Sequence, residues 1–155
     1  IAGKGPQLEE MKTLARELSV QARVTFHGWV KSSRVSTLIR NARAVVFPSL
    51  WHEPAGLVTL EAAAIGRPVI ASAVGGIPEY ARNDHALLVE PSDLEGMVDA
   101  LNHLARAPDR AADMGRRGFN RASEDFSMAD FLDDLHAFYD CAFETSAEPD
   151  PPSTS

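Results

Sequence analysis

Phe47-Pro-Ser-Leu-Trp-His-Glu53-Pro-Ala-Gly56-Leu-Val-Thr-Leu-Glu61-Ala-Ala-Ala-Ile-Gly66 carries one complete structural unit of the chain. The apolar run Ala44-Val-Val-Phe47 stops at Pro48, and a short polar loop follows. Leu57, Leu60 and Ala64 then recur at helical spacing until Gly66 and Pro68 end the pattern. The stretch reads as strand, loop, helix. A helix that begins in this way offers N–H groups without partners and the positive end of its dipole, which together attract phosphate. Ala55-Gly56-Leu57-Val58 is the expected anion seat, with Gly56 allowing close approach to the backbone and Thr59 offering a hydroxyl. Two carboxylates bracket the seat, Glu53 in the loop and Glu61 inside the helix among Leu60 and Ala62 to Ala64. Glu61 stands where an apolar residue packs more easily, so it is either at an exposed edge or holding hydroxyl donors of a ligand.

Around this unit, strands and helices alternate. Ile1-Ala2-Gly3-Lys4-Gly5-Pro6 reads as the end of a strand running into a glycine turn, followed by a helix with Leu8, Met11, Leu14, Ala15 and Leu18 on one side. Arg23 to Gly28 reads as a short strand, Ser33 to Asn41 as a helix, and Ala44 to Phe47 as the next strand. Beyond the central helix come the strand Val69 to Ser72, the turn Gly75-Gly76, a helical turn over Ile77 to Arg82 and the strand Ala86 to Val89. Such alternation implies an α/β fold, a Rossmann-like parallel sheet with helices on both faces and ligand loops at the carboxyl ends of the strands. The loops Gly3 to Gly5, Gly28 to Lys31, Ser49 to Gly56 and Ala73 to Glu79 all fall at that edge. Three helices close the chain. Ser92 or Asp93 caps one with Leu94, Met97, Val98, Leu101 and Leu104 on its inner face, Asp109 to Ser123 forms another, and Phe126 to Tyr139 marks an acidic last one.

Composition narrows the classes. A chain of 155 residues, 45% of them hydrophobic, can bury one core, so residues 1–143 are read as a domain. Residues 144–155, rich in Pro, Ser and acids, are read as a disordered tail. The net charge of -7 is unevenly spread, because residues 124–155 carry nine acids and no Lys or Arg, while residues 1–123 carry thirteen acids against fifteen bases. The body therefore tolerates an anionic small ligand, and the lack of a Lys/Arg cluster argues against nucleic acid. No apolar run approaches a membrane span and no charged-then-apolar leader opens the sequence, so a cytoplasmic protein is the expectation. A chain that starts in mid-strand is also expected to be cut from something longer.

Other motifs fail on spacing. A dinucleotide fingerprint on Gly3 and Gly5 would need a third glycine where Leu8 stands, and a zinc-protease helix on His52-Glu53 would need a histidine where Gly56 stands. Cys141 is the single cysteine, which excludes an internal disulfide and any multi-cysteine metal site. His27 ends a strand at the ligand edge and is either structural or a ligand contact; Trp51 either stacks on a ligand or covers its loop.

Glu53 and Glu61, with seven residues between them in the frame Pro-Ser-Leu-Trp-His-Glu-Pro-Ala-Gly-Leu-Val-Thr-Leu-Glu-Ala, resemble the paired-glutamate signature of retaining glycosyltransferases of family 4, which have the GT-B fold. Gly66-Arg-Pro-Val-Ile-Ala71-Ser and Gly75-Gly76-Ile-Pro-Glu79 resemble that family too, and the likeness runs from Ile1 to about Tyr139. The resemblance implies the carboxy-terminal, donor-binding domain with its first elements missing, and a hexose carried from a nucleotide-diphosphate sugar to an acceptor. It implies that Glu61 holds the ribose hydroxyls, that Glu53 contacts the transferred sugar as the catalytic residue, and that the N–H groups around Gly56, Leu57 and Val58 hold the diphosphate. It further implies that backbone at Trp29 and Val30 meets the base and that Gly3 and Gly5 border the nucleotide. No metal or cofactor is implied, because this fold uses helix dipole and cationic side chains where other glycosyltransferases use a divalent ion. The family's Arg and Lys that neutralise the diphosphate precede Ile1, as does the acceptor-binding amino-terminal domain. That domain is the expected partner and the expected route to any peripheral membrane association, and the chain without it is expected to be inactive. A GT-B epimerase, an inverting transferase and a non-catalytic nucleotide-binding domain are the alternatives.

Overall fold

The structure is a computed structural model and describes residues 1–82 and 84–145. Among the described residues ten helices and strands follow one another: α1 (Leu8–Glu17), α2 (Ser32–Asn41), β1 (Val45–Phe47), α3 (Leu57–Ala64), β2 (Val69–Ser72), α4 (Ile77–Tyr80), β3 (Ala86–Val89), α5 (Leu94–Arg106), α6 (Pro108–Asp125) and α7 (Met128–Thr145). A 3-10 turn, Gln21–Arg23, lies between α1 and α2. The strands form a parallel sheet in the order β1-β2-β3, with Val45 opposite Val69 and Val69 opposite Ala86. β2 is central and buried at all four positions, which explains its unbroken Val-Ile-Ala-Ser composition. One face of the sheet packs Val69 and Ala71 against Ile39 of α2, Ala62 of α3 and Ile77 of α4. The other packs Ile70 and Val89 against Ala100 and Leu104 of α5 and Ala111 and Met114 of α6. Helices thus cover both faces, as the alternation predicts.

The end of α3 shows how sequence and packing agree. Gly66 adopts φ +75°, the Arg67 N–H donates to the Ala62 carbonyl at 2.9 Å, and the Gly66 N–H donates to the Ala63 carbonyl at 2.8 Å. This is a Schellman cap, and it needs a residue that tolerates a left-handed backbone. Gly115 of α6 lies against it, since a Cβ there would overlap the Gly66 carbonyl oxygen. α5 is capped as read, by the Asp93 side chain accepting from the Gly96 N–H at 2.9 Å.

Several readings need correction. The strand expected over Arg23 to Gly28 is reduced to one parallel bridge between Ala2 and Gly28, and Arg23 belongs to the 3-10 turn. Bonds from the Ile1 amino group to the Thr25 carbonyl at 2.6 Å and from the His27 N–H to the Ile1 carbonyl at 2.8 Å hold this pair. No backbone bond among the described residues joins it to the three-stranded sheet. The expected inner face of α1 is largely open, with Met11, Leu14 and Leu18 exposed and Ala15 buried. On α5 the buried residues are Ala100 and Leu104 with Met97 beside them, whereas Leu94, Val98 and Leu101 are exposed, because the helix turns its Ala100 side to the sheet. α7 reaches Thr145, and the tail reading over residues 146–155 lies outside the described residues. Among the described residues no helix is long and apolar enough to cross a membrane.

Candidate functional site

Each strand of the parallel sheet delivers its following loop to the same edge, so the loop after β1 and the loop after β2 become neighbours. They are joined directly. The Gly76 N–H donates to the Glu53 carbonyl at 2.8 Å, and Gly56 packs on the Ile77 side chain. Gly75 has φ +55°, and a Cβ on it would overlap the Glu53 carbonyl oxygen, while one on Gly76 would overlap that of Pro54. These two glycines let one loop lie on the other.

α3 starts from Gly56, which adopts φ 62° and ψ 51° and has no side chain to cap the helix. The N–H groups of Leu57 and Val58 take no partner among the described residues, so the expected anion seat is unblocked. Two details differ from expectation. Gly56 is buried, and glycine is required there by the left-handed backbone and by Ile77, whose Cγ1 would stand 2.6 Å from a Cβ. Thr59 is 2% exposed and its hydroxyl donates to the Gly56 carbonyl at 2.8 Å, so it serves the helix and offers nothing to a ligand.

Glu53 is half-buried, and its Oε1 accepts from the Ser49 hydroxyl at 3.0 Å. Glu61 lies one turn into α3, exposed, with no hydrogen bond or ion pair from its side chain among the described residues. Trp51 is 71% exposed and covers little of its loop. Gly3 and Gly28 are linked by a 2.7 Å bond from the Gly3 N–H. Gly3 and Gly5 line a cleft of about 190 Å³ with Lys4 and Pro6, and Trp29 and Val30 line another of about 480 Å³ with His27, Lys31, Ser33 and Arg34. The candidate residues therefore fall in two groups: Glu53, Gly56, Leu57, Val58 and Glu61 around the start of α3, and Gly3, Gly5, Trp29 and Val30 around the Ala2–Gly28 bridge. Among the described residues no hydrogen bond joins one group to the other. Nor do the larger clefts enclose the glutamates; one of about 500 Å³ lies along β3 and α5, lined by Asp93, Asp99, His103 and Arg110. No group of three or more His, Cys, Asp or Glu able to hold a metal occurs among the described residues.

Sequence reasoning missed Ser49 and the grip of the Gly75-Gly76 turn on Glu53. The Ser four residues ahead of the glutamate was the available signal for the first; the second depends on two loops meeting in space and had none.

Comparison with known proteins identifies the family and the fold. Residues 1–121 match the family Glycosyl transferases group 1. A D-inositol 3-phosphate glycosyltransferase of Mycobacterium avium (strain 104) is 41% identical over 127 residues, which is 81% of this chain and 30% of that protein. The chain thus spans well under half the length of that relative. A sucrose-phosphate synthase from Thermosynechococcus elongatus superposes with a TM-score of 0.81 at 31% identity, covering 93% of this chain and 38% of the other. HepE from Anabaena, solved in complex with UDP-glucose, has a TM-score of 0.80 at 22% identity over 90% of this chain and 40% of its own, and so speaks for the fold alone. The chain belongs to the group 1 glycosyl transferases, and its fold is the α/β fold of GT-B glycosyltransferases.

Proposed function

We propose that this chain is the donor-binding part of a retaining, metal-independent glycosyltransferase that moves a hexose from a nucleotide-diphosphate sugar to an acceptor bound by an amino-terminal domain of the same protein. The observation that carries the reading is the start of α3, where unpartnered N–H groups of Leu57 and Val58 sit between Glu53 and Glu61. A diphosphate held there gains hydrogen bonds and the favourable end of the helix dipole, which stabilise it most when the sugar bond breaks and it leaves with extra charge. Glu61, exposed and uncommitted, accepts from two ribose hydroxyls. Glu53 accepts from a hydroxyl of the sugar and lies where positive charge grows at the ring as the bond breaks. The acceptor oxygen attacks the face the diphosphate leaves, passing its proton to the departing phosphate oxygen, so the anomeric configuration is kept. Trp29 and Val30 supply main-chain contacts to the base, and Gly3 and Gly5 border the nucleotide.

HepE, which shares this fold, is solved in complex with UDP-glucose, a member of the ligand class proposed for this chain. A cytoplasmic location suits the use of nucleotide sugars, and any membrane contact belongs to the amino-terminal domain. Calorimetric titration of the complete gene product with UDP, GDP and ADP, without added metal and again with magnesium, tests the reading. Saturable binding of one of them in both conditions is expected. Binding of none, or binding only with magnesium, would contradict it.

A further inference from the structure

We propose that Ser49, Gly75 and Gly76 are positioning residues for Glu53, holding its carboxylate in place without cancelling its charge. The proposal rests on the reading of Glu53 as the group that faces the transferred sugar. Ser49 has one hydroxyl proton and two acceptors near it, Glu53 Oε1 at 3.0 Å and the Trp51 carbonyl at 3.4 Å. The carboxylate is the closer and the stronger acceptor, so it takes the proton. The Ser49 oxygen in turn accepts from the Trp51 N–H at 3.3 Å, and the Glu53 N–H donates to the Trp51 carbonyl at 2.8 Å. The loop from Pro48 to Glu53 is therefore closed on itself around the Ser49 hydroxyl.

The main chain is gripped from the other side. The Gly76 N–H holds the Glu53 carbonyl at 2.8 Å, and any side chain at Gly75 or Gly76 would meet the backbone of Glu53 or Pro54. Ser49 fixes the side chain and the glycine turn fixes the backbone. No Lys, Arg or His pairs with Glu53 among the described residues, and its Oε2 takes no hydrogen bond from them. This has a chemical purpose. A cation at Glu53 would neutralise the charge that the developing oxocarbenium ion needs, whereas a neutral hydroxyl orients the carboxylate and leaves that charge, and Oε2, for the sugar.

The test is steady-state hydrolysis of a nucleotide sugar by the complete gene product, using whichever of UDP-glucose, UDP-N-acetylglucosamine, GDP-mannose and ADP-glucose it turns over fastest. Ser49→Ala is expected to lower kcat about tenfold, the scale of one lost hydrogen bond to a charged group, with KM and nucleoside diphosphate affinity within about twofold. Ser49→Thr keeps the hydroxyl and is expected to return kcat to within about threefold. Gly75→Ala is expected to lower kcat and thermal stability together, and Ser49→Ala decides the matter if that variant does not fold. Glu53→Gln, measured alongside, separates two failures. If Glu53→Gln is slow and Ser49→Ala is as fast as the unmodified protein, the positioning role is overturned while the role of Glu53 stands. If Glu53→Gln itself turns over normally, the reading of Glu53 fails and the positioning role with it.

Discussion

The Thr59 hydroxyl donates to the Gly56 carbonyl at 2.8 Å, and the Thr59 N–H donates to the same oxygen at 2.8 Å. A side chain that directly follows the proposed phosphate seat is therefore turned inward to shape the start of α3. Thr59→Val keeps the shape and loses the hydroxyl, and is expected to cost about 0.5–1.5 kcal/mol in urea unfolding. Nucleoside diphosphate affinity is expected to stay within about twofold, because no ligand donor has been removed. A large loss of affinity at unchanged stability would return the hydroxyl to the ligand.

Gly56→Ala acts on the same helix start through the backbone. The residue sits at φ 62°, and the new Cβ would stand 2.6 Å from Ile77 Cγ1. The left-handed backbone and the overpacking each cost about 1–3 kcal/mol, so denaturant unfolding should show a loss of at least about 2 kcal/mol. A loss below about 0.5 kcal/mol would mean that the turn is looser than described.

Asp84 gives the fold a dependence on acid. Its partial burial alone would raise its carboxyl, but the hydrogen bond and charge of His85, whose Nδ1 lies 2.8 Å away, its own backbone N–H and the charge of Arg121 outweigh that and hold it below its ordinary value of 3.8. A depressed carboxyl stabilises the fold above its unfolded pKa, and that contribution is lost as the pH falls through about 3.8 and below. The side chain is 49% exposed, so solvent screening keeps the contribution to roughly 1 kcal/mol or less. Asp84→Asn should therefore be less stable than the unmodified protein at neutral pH, with the gap closing in strong acid. Thermal melts that differ by a constant amount across the whole range would contradict this.

The 155-residue chain by itself is expected to fold without transferring sugar, since the proposed function assigns the acceptor site and the closure that excludes water to an amino-terminal domain. Measurable transfer by the purified chain, with any of the four nucleotide sugars named above, would refute this division of labour.

Much of the fold was legible because the chain alternates sharply between apolar runs and helical patterns. Val69 to Ser72 reads as a buried strand and is buried at every position; Asp93 reads as a helix cap and caps α5. The strand over Arg23 to Gly28 was overread, because its β-branched and aromatic residues carry propensity while pairing is limited to Ala2 and Gly28. The apolar faces of α1 and α5 were overread for a related reason. Periodicity marks which residues share a side, and packing decides how much of that side is covered, so Leu14 and Leu94 end up exposed. At the site, the paired glutamates and Gly56 stood out by type and spacing. Ser49 and Ile77 did not, because their importance arises only where the loops after β1 and β2 touch.

Calorimetric titration of Glu61→Ala and Glu53→Gln, each made in the complete gene product, with the nucleoside diphosphate that the unmodified protein binds, tests the roles proposed for the two glutamates. If Glu61 accepts from two ribose hydroxyls, Glu61→Ala should weaken binding by about 1.5–3 kcal/mol, some ten- to hundredfold. If Glu53 meets only the sugar, as proposed, Glu53→Gln should leave that affinity within about twofold while lowering kcat by at least about a hundredfold. Equal effects of the two substitutions on nucleotide affinity, or no effect of Glu61→Ala, would contradict the account.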